Sequence, residues 1–285
     1  MDDRARLADL VGARVRDWAG LGRRHAWRLY RAGLDDGREV FVKATAERSA
    51  VFAAEAAGLR WLAAPFPDGA PVAEVVAVDE RMLVLPWLPP QRPDAAAAER
   101  FGRDLAVLHT AGAPGHGAPW PGFIAELPMD NTPGSREWPR WYAERRLAPY
   151  LERAAGVLGA AGVRLVERVI ECVEDLAGPP EPPSRVHGDL WSGNVVWSGG
   201  RGVLVDPAAY GGHRETDLAM LELFGAPYLD RILAAYREVA PLSPGHRGRV
   251  PLYQLYPLLV HVVLFGGGYR EDTVRAARAA LAPQD

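Results

Sequence analysis

Pro86, Pro89, Pro90 and Pro93 cut this 285-residue chain into two parts of different character. Proline fixes φ and lacks an N–H, so neither a helix nor an interior strand runs through such a stretch. Before the cut, residues 1–88 carry strand signals. Trp27-Arg28-Leu29-Tyr30-Arg31 and Glu39-Val40-Phe41-Val42-Lys43 flank Asp35-Asp36-Gly37, a hairpin turn signature. An alanine-rich helix is predicted from Ser49 to Ala63, ended by Pro65 and Pro67. Val72–Val78 and Met82–Leu85, around Asp79-Glu80-Arg81, predict a second hairpin. Leu7, Leu10, Val11 and Val15 fall at helical spacing and predict an N-terminal amphipathic helix over residues 2–18.

After the cut, residues 89–285 read as mainly helical. Asp94 to Thr110 carries Phe101, Leu105 and Leu108 on one face; Trp138 to Ala155 and Val163 to Leu176 are further helices. Pro179, Pro180, Pro182 and Pro183 precede an extended, turn-rich segment from Arg185 to Asp206, and helices resume near Glu215. A β-rich lobe followed by a helical lobe is an α+β, two-lobe arrangement.

Apolar residues make up 48% and charged residues 24%, as in soluble globular proteins, and the length suffices for two modest domains. A net charge of −3 argues against a nucleic-acid partner, which would call for a basic excess. With Cys172 alone, no intrachain disulfide forms; its apolar register predicts a buried, inert thiol. The start, Met1-Asp2-Asp3-Arg4, lacks the signal-peptide pattern of a basic start and an apolar run, so none is expected. The most apolar stretch, Leu252 to Phe265, contains Gln254, Pro257 and His261 and falls short of the ~20 residues that span a bilayer, so it predicts a core helix. The expectation is a cytoplasmic protein without a membrane partner. Its oligomeric state is left open, a monomer being compatible.

The sharpest chemical signal is Val186-His187-Gly188-Asp189-Leu190-Trp191-Ser192-Gly193-Asn194 followed by Val203-Leu204-Val205-Asp206. This spacing suits phosphoryl transfer: Asp189 can accept the proton of an attacking hydroxyl, while Asn194 and Asp206 can hold the Mg²⁺ that bridges ATP phosphates. Mg²⁺ takes few protein oxygens because phosphates and water fill its other positions. Val195-Val196-Trp197 and Val203-Leu204-Val205, joined by Ser198-Gly199-Gly200-Arg201-Gly202, predict a hairpin that returns Asp206 to Asn194. A surface loop is the plain alternative, which the spaced triple and its apolar flanks disfavour.

In the first lobe, Lys43 ends a strand and Glu55 lies in the next helix. A strand lysine can bind the α/β-phosphates while such a glutamate orients it; alone, the two would read as surface charges. Leu85-Pro86-Trp87-Leu88 is the candidate hinge, with adenine bonded through the Pro86 carbonyl and the Leu88 N–H; a stiff linker is the rival reading. The phosphate-loop candidate, Ala19-Gly20-Leu21-Gly22-Arg23-Arg24-His25-Ala26, lacks G-x-G-x-x-G, and no G-x-x-x-x-G-K-[ST] occurs. Arg23 and Arg24 read as a solvated basic turn, with contact to a phosphate as the rival reading. His109 reads as a structural group at a helix end, and His116, His246 and His261 lack metal-ligand spacing.

With these residues on the page, the chain resembles the fructosamine kinase (ketosamine-3-kinase) family, itself related to aminoglycoside phosphotransferases, choline kinases and protein kinases. The resemblance rests on His187 to Asn194, on Asp206-Pro207-Ala208-Ala209-Tyr210-Gly211-Gly212-His213-Arg214-Glu215-Thr216-Asp217-Leu218-Ala219-Met220, and on Glu222-Leu223-Phe224-Gly225. Weaker similarity runs through Gly122-Phe123-Ile124, Asp130-Asn131-Thr132, Trp138, Trp141-Tyr142 and Arg145-Arg146-Leu147. It implies a protein-kinase-like bilobal fold and ATP- and Mg²⁺-dependent phosphorylation of the 3-hydroxyl of ketosamines, small or protein-bound, which leads to deglycation. It implies Asp189 as base, Asn194 and Asp206 as metal ligands, Lys43 with Glu55 as phosphate ligand, and Asp217, with His187, as support for the catalytic loop. Trp191 is a candidate platform for the sugar, against a core role. A kinase for another small hydroxyl compound and a kinase-like binding protein without catalysis are the competing readings.

Overall fold

The computed structural model describes residues 2–64, 70–134 and 137–283, and its first layer is a five-stranded antiparallel sheet. The strands are β1 (Val15–Arg24), β2 (Trp27–Leu34), β3 (Glu39–Ala44), β4 (Ala77–Val78) and β5 (Met82–Pro86), in spatial order β1-β2-β3-β5-β4. Alternation along β3 sends its side chains to two sides. Val40 and Val42 meet Leu7 of helix α1 (Asp3–Val11), while Phe41 meets Phe52 and Leu59 of helix α2 (Val51–Ala63).

The N-terminal helix is shorter than its apolar spacing suggests. Gly12 adopts a left-handed conformation (φ 67°) that caps α1, so Val15 begins β1 instead of continuing the helix. The second hairpin is also shorter than expected: only Ala77 and Val78 pair with β5. Residues 71–73 pair elsewhere, with the Leu204 N–H donating to the Pro71 carbonyl (2.8 Å) and the Ala73 N–H to the Leu204 carbonyl (2.9 Å). That exchange stitches the first lobe to the hairpin expected to carry Asp206. Pro65 and Pro67 lie outside the described residues; α2 ends at Ala63.

Past the proline stretch come α3 (Ala95–Thr110), β6 (Gly122–Ile124), β7 (Leu127–Met129), α4 (Trp138–Tyr142), α5 (Ala148–Glu171) and α6 (Val173–Leu176). They are followed by β8 (Ser184–Val186), β9 (Val195–Ser198), β10 (Arg201–Leu204), β11 (Tyr210–Gly212), α7 (Glu215–Phe224), α8 (Leu229–Val239), α9 (His246–Phe265) and α10 (Arg270–Ala280). Asp94 caps α3 by accepting from the Ala97 N–H at 2.8 Å. The two helices expected around residues 138–176 are instead nearly continuous: α4 passes through one π turn (Ala143–Leu147) into α5, which bends at Gly159 and ends at Glu171. Cys172 sits half-buried between α5 and α6, not fully inside as its register suggested.

The C-terminal lobe has its core where α5 and α9 pack, with Leu158, Val166, Leu255 and Leu259 fully enclosed. By length and composition His246–Ala280 could cross a membrane, yet half of its most apolar 18-residue stretch is buried within this protein. Burying each such side chain contributes about 1.5–3 kcal/mol.

Candidate active site

Lys43 is the most constrained cation in the cleft. Its ammonium donates to Glu55 Oε2 and to Asp206 Oδ1, each at 2.7 Å, and lies 4.6 Å from the centre of the Trp27 ring. The β2–β3 register and α2 bring Lys43 and Glu55 together, and the β9–β10 hairpin delivers Asp206 from the other lobe. Burial disfavours charge on Lys43, but the two carboxylates outweigh it and hold its pKa above the ordinary lysine value. Burial likewise works against Asp206, and Lys43 overrides it, so this carboxyl stays below its usual range. Asp206 sits at φ 55°, a left-handed conformation costly for a residue with a Cβ and typical of positions that function over-determines.

Beside this ion cluster lies a cavity of about 320 Å³ between the lobes. Leu29 and Phe41 line it from the sheet, Val196 and Val205 from the C-terminal lobe, and Leu85, Pro86 and Leu88 along the connecting segment. Such an apolar slot, with Lys43 and Asp206 at one end, suits a flat base carrying a polyphosphate.

The loop after β8 is braced from beneath. Asp217, buried on α7, accepts from the N–H groups of His187 (2.7 Å) and Gly188 (2.9 Å) and bonds His109 Nε2 at 3.1 Å. His187 Nε2 bonds the Val205 carbonyl at 2.9 Å, so its Nδ1 is the acceptor for the Asp189 N–H at 3.2 Å. Burial lowers the His187 pKa and keeps it neutral. Gly188 has φ 80°, and a Cβ there would lie 2.2 Å from the Ala208 carbonyl oxygen. No other residue fits without moving the loop.

Asp189 ends this brace. Asn194 Nδ2 donates to its Oδ2 (2.8 Å) and to its carbonyl (2.9 Å), fixing the rotamer. Burial first, and the Asp206 carboxylate second, push the Asp189 carboxyl up to about 8, near the operating pH where a general base works best. The amide oxygen of Asn194 is buried and has no hydrogen-bond partner among the described residues, although its nitrogen is fully used. An orphaned buried acceptor costs about 1–3 kcal/mol unless something takes it. With the Asp206 carboxylate lining the same cavity, the donor set is two hard oxygens, which fits a divalent cation such as Mg²⁺.

A second cavity, about 500 Å³, opens on the far side of Asp189. Trp191 is half-buried on its wall, against Gly193 and edge-on to Phe224 at 6.4 Å, and is not part of the main core. Val260, His261, Leu264 and Tyr269 also line it, and among the described residues Asp189 is the one carboxylate on its wall. His261, which lacks metal-ligand spacing in the sequence, lies on this wall: its Nδ1 bonds the Pro257 carbonyl at 2.7 Å, and Phe224 and Tyr269 pack on its ring. Arg24 corrects another expectation. It does not point into solvent with Arg23; it is half-buried over the Trp191 ring, 5.3 Å from its centre, and lines both cavities. Nothing in the local sequence distinguishes the two arginines.

The Gly-His-Arg-Glu stretch is a structural girder. Arg214 forms a paired bond with Glu181, and the fully buried Arg249–Glu215 pair ties α9 to α7. His213 and these two glutamates lie near one another, but both carboxylates are taken by arginines.

Known proteins match this chain over most of its length. The family model described as fructosamine kinase matches residues 20–282. The chain is 36% identical over 257 residues to a probable ketoamine kinase of Synechocystis sp., covering 87% of this chain and 85% of that protein. A crystal structure of a candidate fructosamine-3-kinase from Thermobifida fusca superposes with a TM-score of 0.94 at 53% identity, over 98% of both chains. An aminoglycoside phosphotransferase solved with ADP and hygromycin B superposes at 0.67 with 16% identity, over 99% of this chain and 100% of that one, a likeness of fold alone. The chain therefore has the protein-kinase-like bilobal α+β fold and belongs to the fructosamine kinase family of ATP-dependent phosphotransferases.

Proposed function

We propose that this enzyme transfers the γ-phosphoryl group of ATP to the 3-hydroxyl of ketosamines, sugar adducts rearranged on amines, and so promotes deglycation as the phosphorylated adduct decomposes. The observation that carries the choice of acceptor is the cavity beside Asp189. It joins one carboxylate to aromatic walls from Trp191, Phe224 and Tyr269 and a histidine, His261. A sugar lays its C–H face on an indole and directs a hydroxyl to the base, and a single protonated amine is attracted by aromatic faces. A polycationic aminoglycoside would want several carboxylates, and among the described residues the wall supplies Asp189 alone, with the Arg24 guanidinium beside it.

In this reading Asp189 takes the proton from the attacking hydroxyl, held in line by Asn194 and by the Asp217 and His187 brace. Lys43, oriented by Glu55, binds the ATP phosphates, and Pro86 and Leu88 border the base. Asn194 and Asp206 would hold Mg²⁺, which would offset the charge of the phosphates. The test is ADP formation by the purified enzyme with a model fructosamine or ribulosamine, compared with the free ketose and an aminoglycoside. Turnover of the ketosamine, with a 3-phosphate as product, is expected. Faster turnover of the aminoglycoside or the ketose would overturn the assignment.

A further inference from the structure

We propose that Arg24 is a catalytic residue that grips the phosphoryl group in flight, replacing with a side chain the backbone amides that a glycine-rich loop supplies in other kinases. The inference needs only the phosphotransferase activity and holds whatever the acceptor.

Arg24 borders three adjoining spaces: the nucleotide cavity, the acceptor cavity, and a narrow crevice between them that Asp189 and Asp206 also line. Phosphorus must travel from the Lys43 side to an acceptor oxygen at Asp189, which takes it through that junction. The guanidinium there carries five N–H donors. It makes no hydrogen bond and no ion pair among the described residues, and it lies over the Trp191 ring. An arginine facing a cleft with three carboxylates, Glu55, Asp189 and Asp206, yet bonded to none of them, is free to take an anion between them.

The surrounding loop explains why a side chain is needed. Gly20 and Gly22 are paired within the β1–β2 ladder, opposite Tyr30 and Leu29, with a bulge at Leu21 between them, so the G-x-G-x-x-G turn is replaced by a paired strand. At the tip, the Ala26 N–H is already committed, donating at 2.7 Å to Glu126 Oε1 on the β6–β7 turn of the other lobe. His25, at φ 54°, makes the turn, and the Glu126 strap holds the tip over the cleft with Arg24 beneath it.

In the transfer step the bond between the γ-phosphorus and the β,γ-bridging oxygen breaks as the acceptor oxygen bonds to phosphorus. The hydroxyl proton passes to Asp189 and ADP leaves with the bridging electron pair. Arg24 exchanges no proton; it bonds the equatorial oxygens, whose charge must be matched throughout.

Binding of Mg²⁺-AMP-PNP and of Mg²⁺-ADP to wild type and Arg24→Ala, without acceptor, tests this by calorimetry. The expected result is at least a ~10-fold loss of affinity for AMP-PNP, with ADP within about twofold, because only the former offers a γ-phosphoryl group. In turnover, kcat should fall ~10²–10³-fold. An equal loss for both nucleotides, or no loss together with an unchanged kcat and a raised acceptor KM, would overturn the proposal and leave Arg24 as packing for Trp191. Should Arg24→Ala melt at a much lower temperature than wild type, Arg24→Gln serves for the same comparison, read in the same way.

Discussion

Replacing Asp217 with asparagine isolates the brace under the catalytic loop. One carboxylate oxygen accepts from the Gly188 N–H (2.9 Å), and the other from the His187 N–H (2.7 Å) and His109 (3.1 Å). Facing a carboxylate, His109 Nε2 carries the proton, so its Nδ1 accepts from the Tyr236 hydroxyl at 2.9 Å. Asparagine keeps one acceptor oxygen. Turned toward His187 and His109 it preserves two bonds without their charge and sets its own NH₂ against the Gly188 N–H. Losing one charge-assisted bond costs ~1.5–3 kcal/mol, and weakening two more brings the total to about 3 kcal/mol. For a chain of this size that lowers Tm by roughly 5–10 °C. Since Asp189 follows directly on the freed segment, a misplacement of ~1 Å should reduce kcat ~10²-fold, with KM for ATP nearly unchanged. Scanning calorimetry and an ADP-release assay run well below the lowered Tm read the two effects separately. A folded Asp217→Asn enzyme with kcat within about twofold of wild type would refute the brace.

Asp189→Asn should bind ATP normally and lose ~10²–10⁴-fold in turnover, and near-normal turnover would remove it as the base. Asp206→Ala, which loses a charge as well as a ligand, should abolish turnover at any Mg²⁺ concentration, whereas Asn194→Ala should retain activity that rises across a Mg²⁺ titration. Equal activity of Asp206→Ala and wild type contradicts the metal assignment. Trp191→Ala is best judged against Trp141→Ala, whose ring is enclosed and stacked on Tyr210. The enclosed tryptophan should cost ~3–5 kcal/mol of stability and half-buried Trp191 clearly less, with a raised acceptor KM. An equal fall in Tm with an unchanged acceptor KM makes Trp191 core.

What could be read from the sequence was local or carried by spacing. The Asp35-Asp36-Gly37 turn, the Asp94 cap and the paired runs around residues 195–205 each declare themselves within a few residues, and the structure has the hairpin and helix they predict. The fold class follows from the same signals. What escaped depends on distant partners. Val72 has a strand-like neighbourhood, but its partner is Leu204, not a hairpin mate. Arg23 and Arg24 are chemically identical neighbours; which of them turns inward depends on strand parity and on Glu126, a hundred residues away. His261 sits in an apolar helix where a core position and a cavity wall look alike in sequence. The join between the helices predicted over residues 138–155 and 163–176 was hidden by Gly156, Gly159 and Gly162, poor helix formers through which α5 nevertheless runs, bending at Gly159.

The steric closure at Gly188 reaches beyond the loop itself. Many protein kinases carry an arginine at this position, and it clamps a phosphorylated activation segment and so makes activity conditional on an upstream kinase. Here the space is filled by the Ala208 carbonyl, and the chain after Asp206 runs directly into β11, whose pairing with β8 holds it without a phosphate. The arrangement of Lys43, Glu55 and Asp206 is complete in the unmodified chain. Such an arrangement calls for no activating phosphate, so the enzyme should be active as purified from a heterologous host; an inert preparation that only an upstream kinase restored would contradict this.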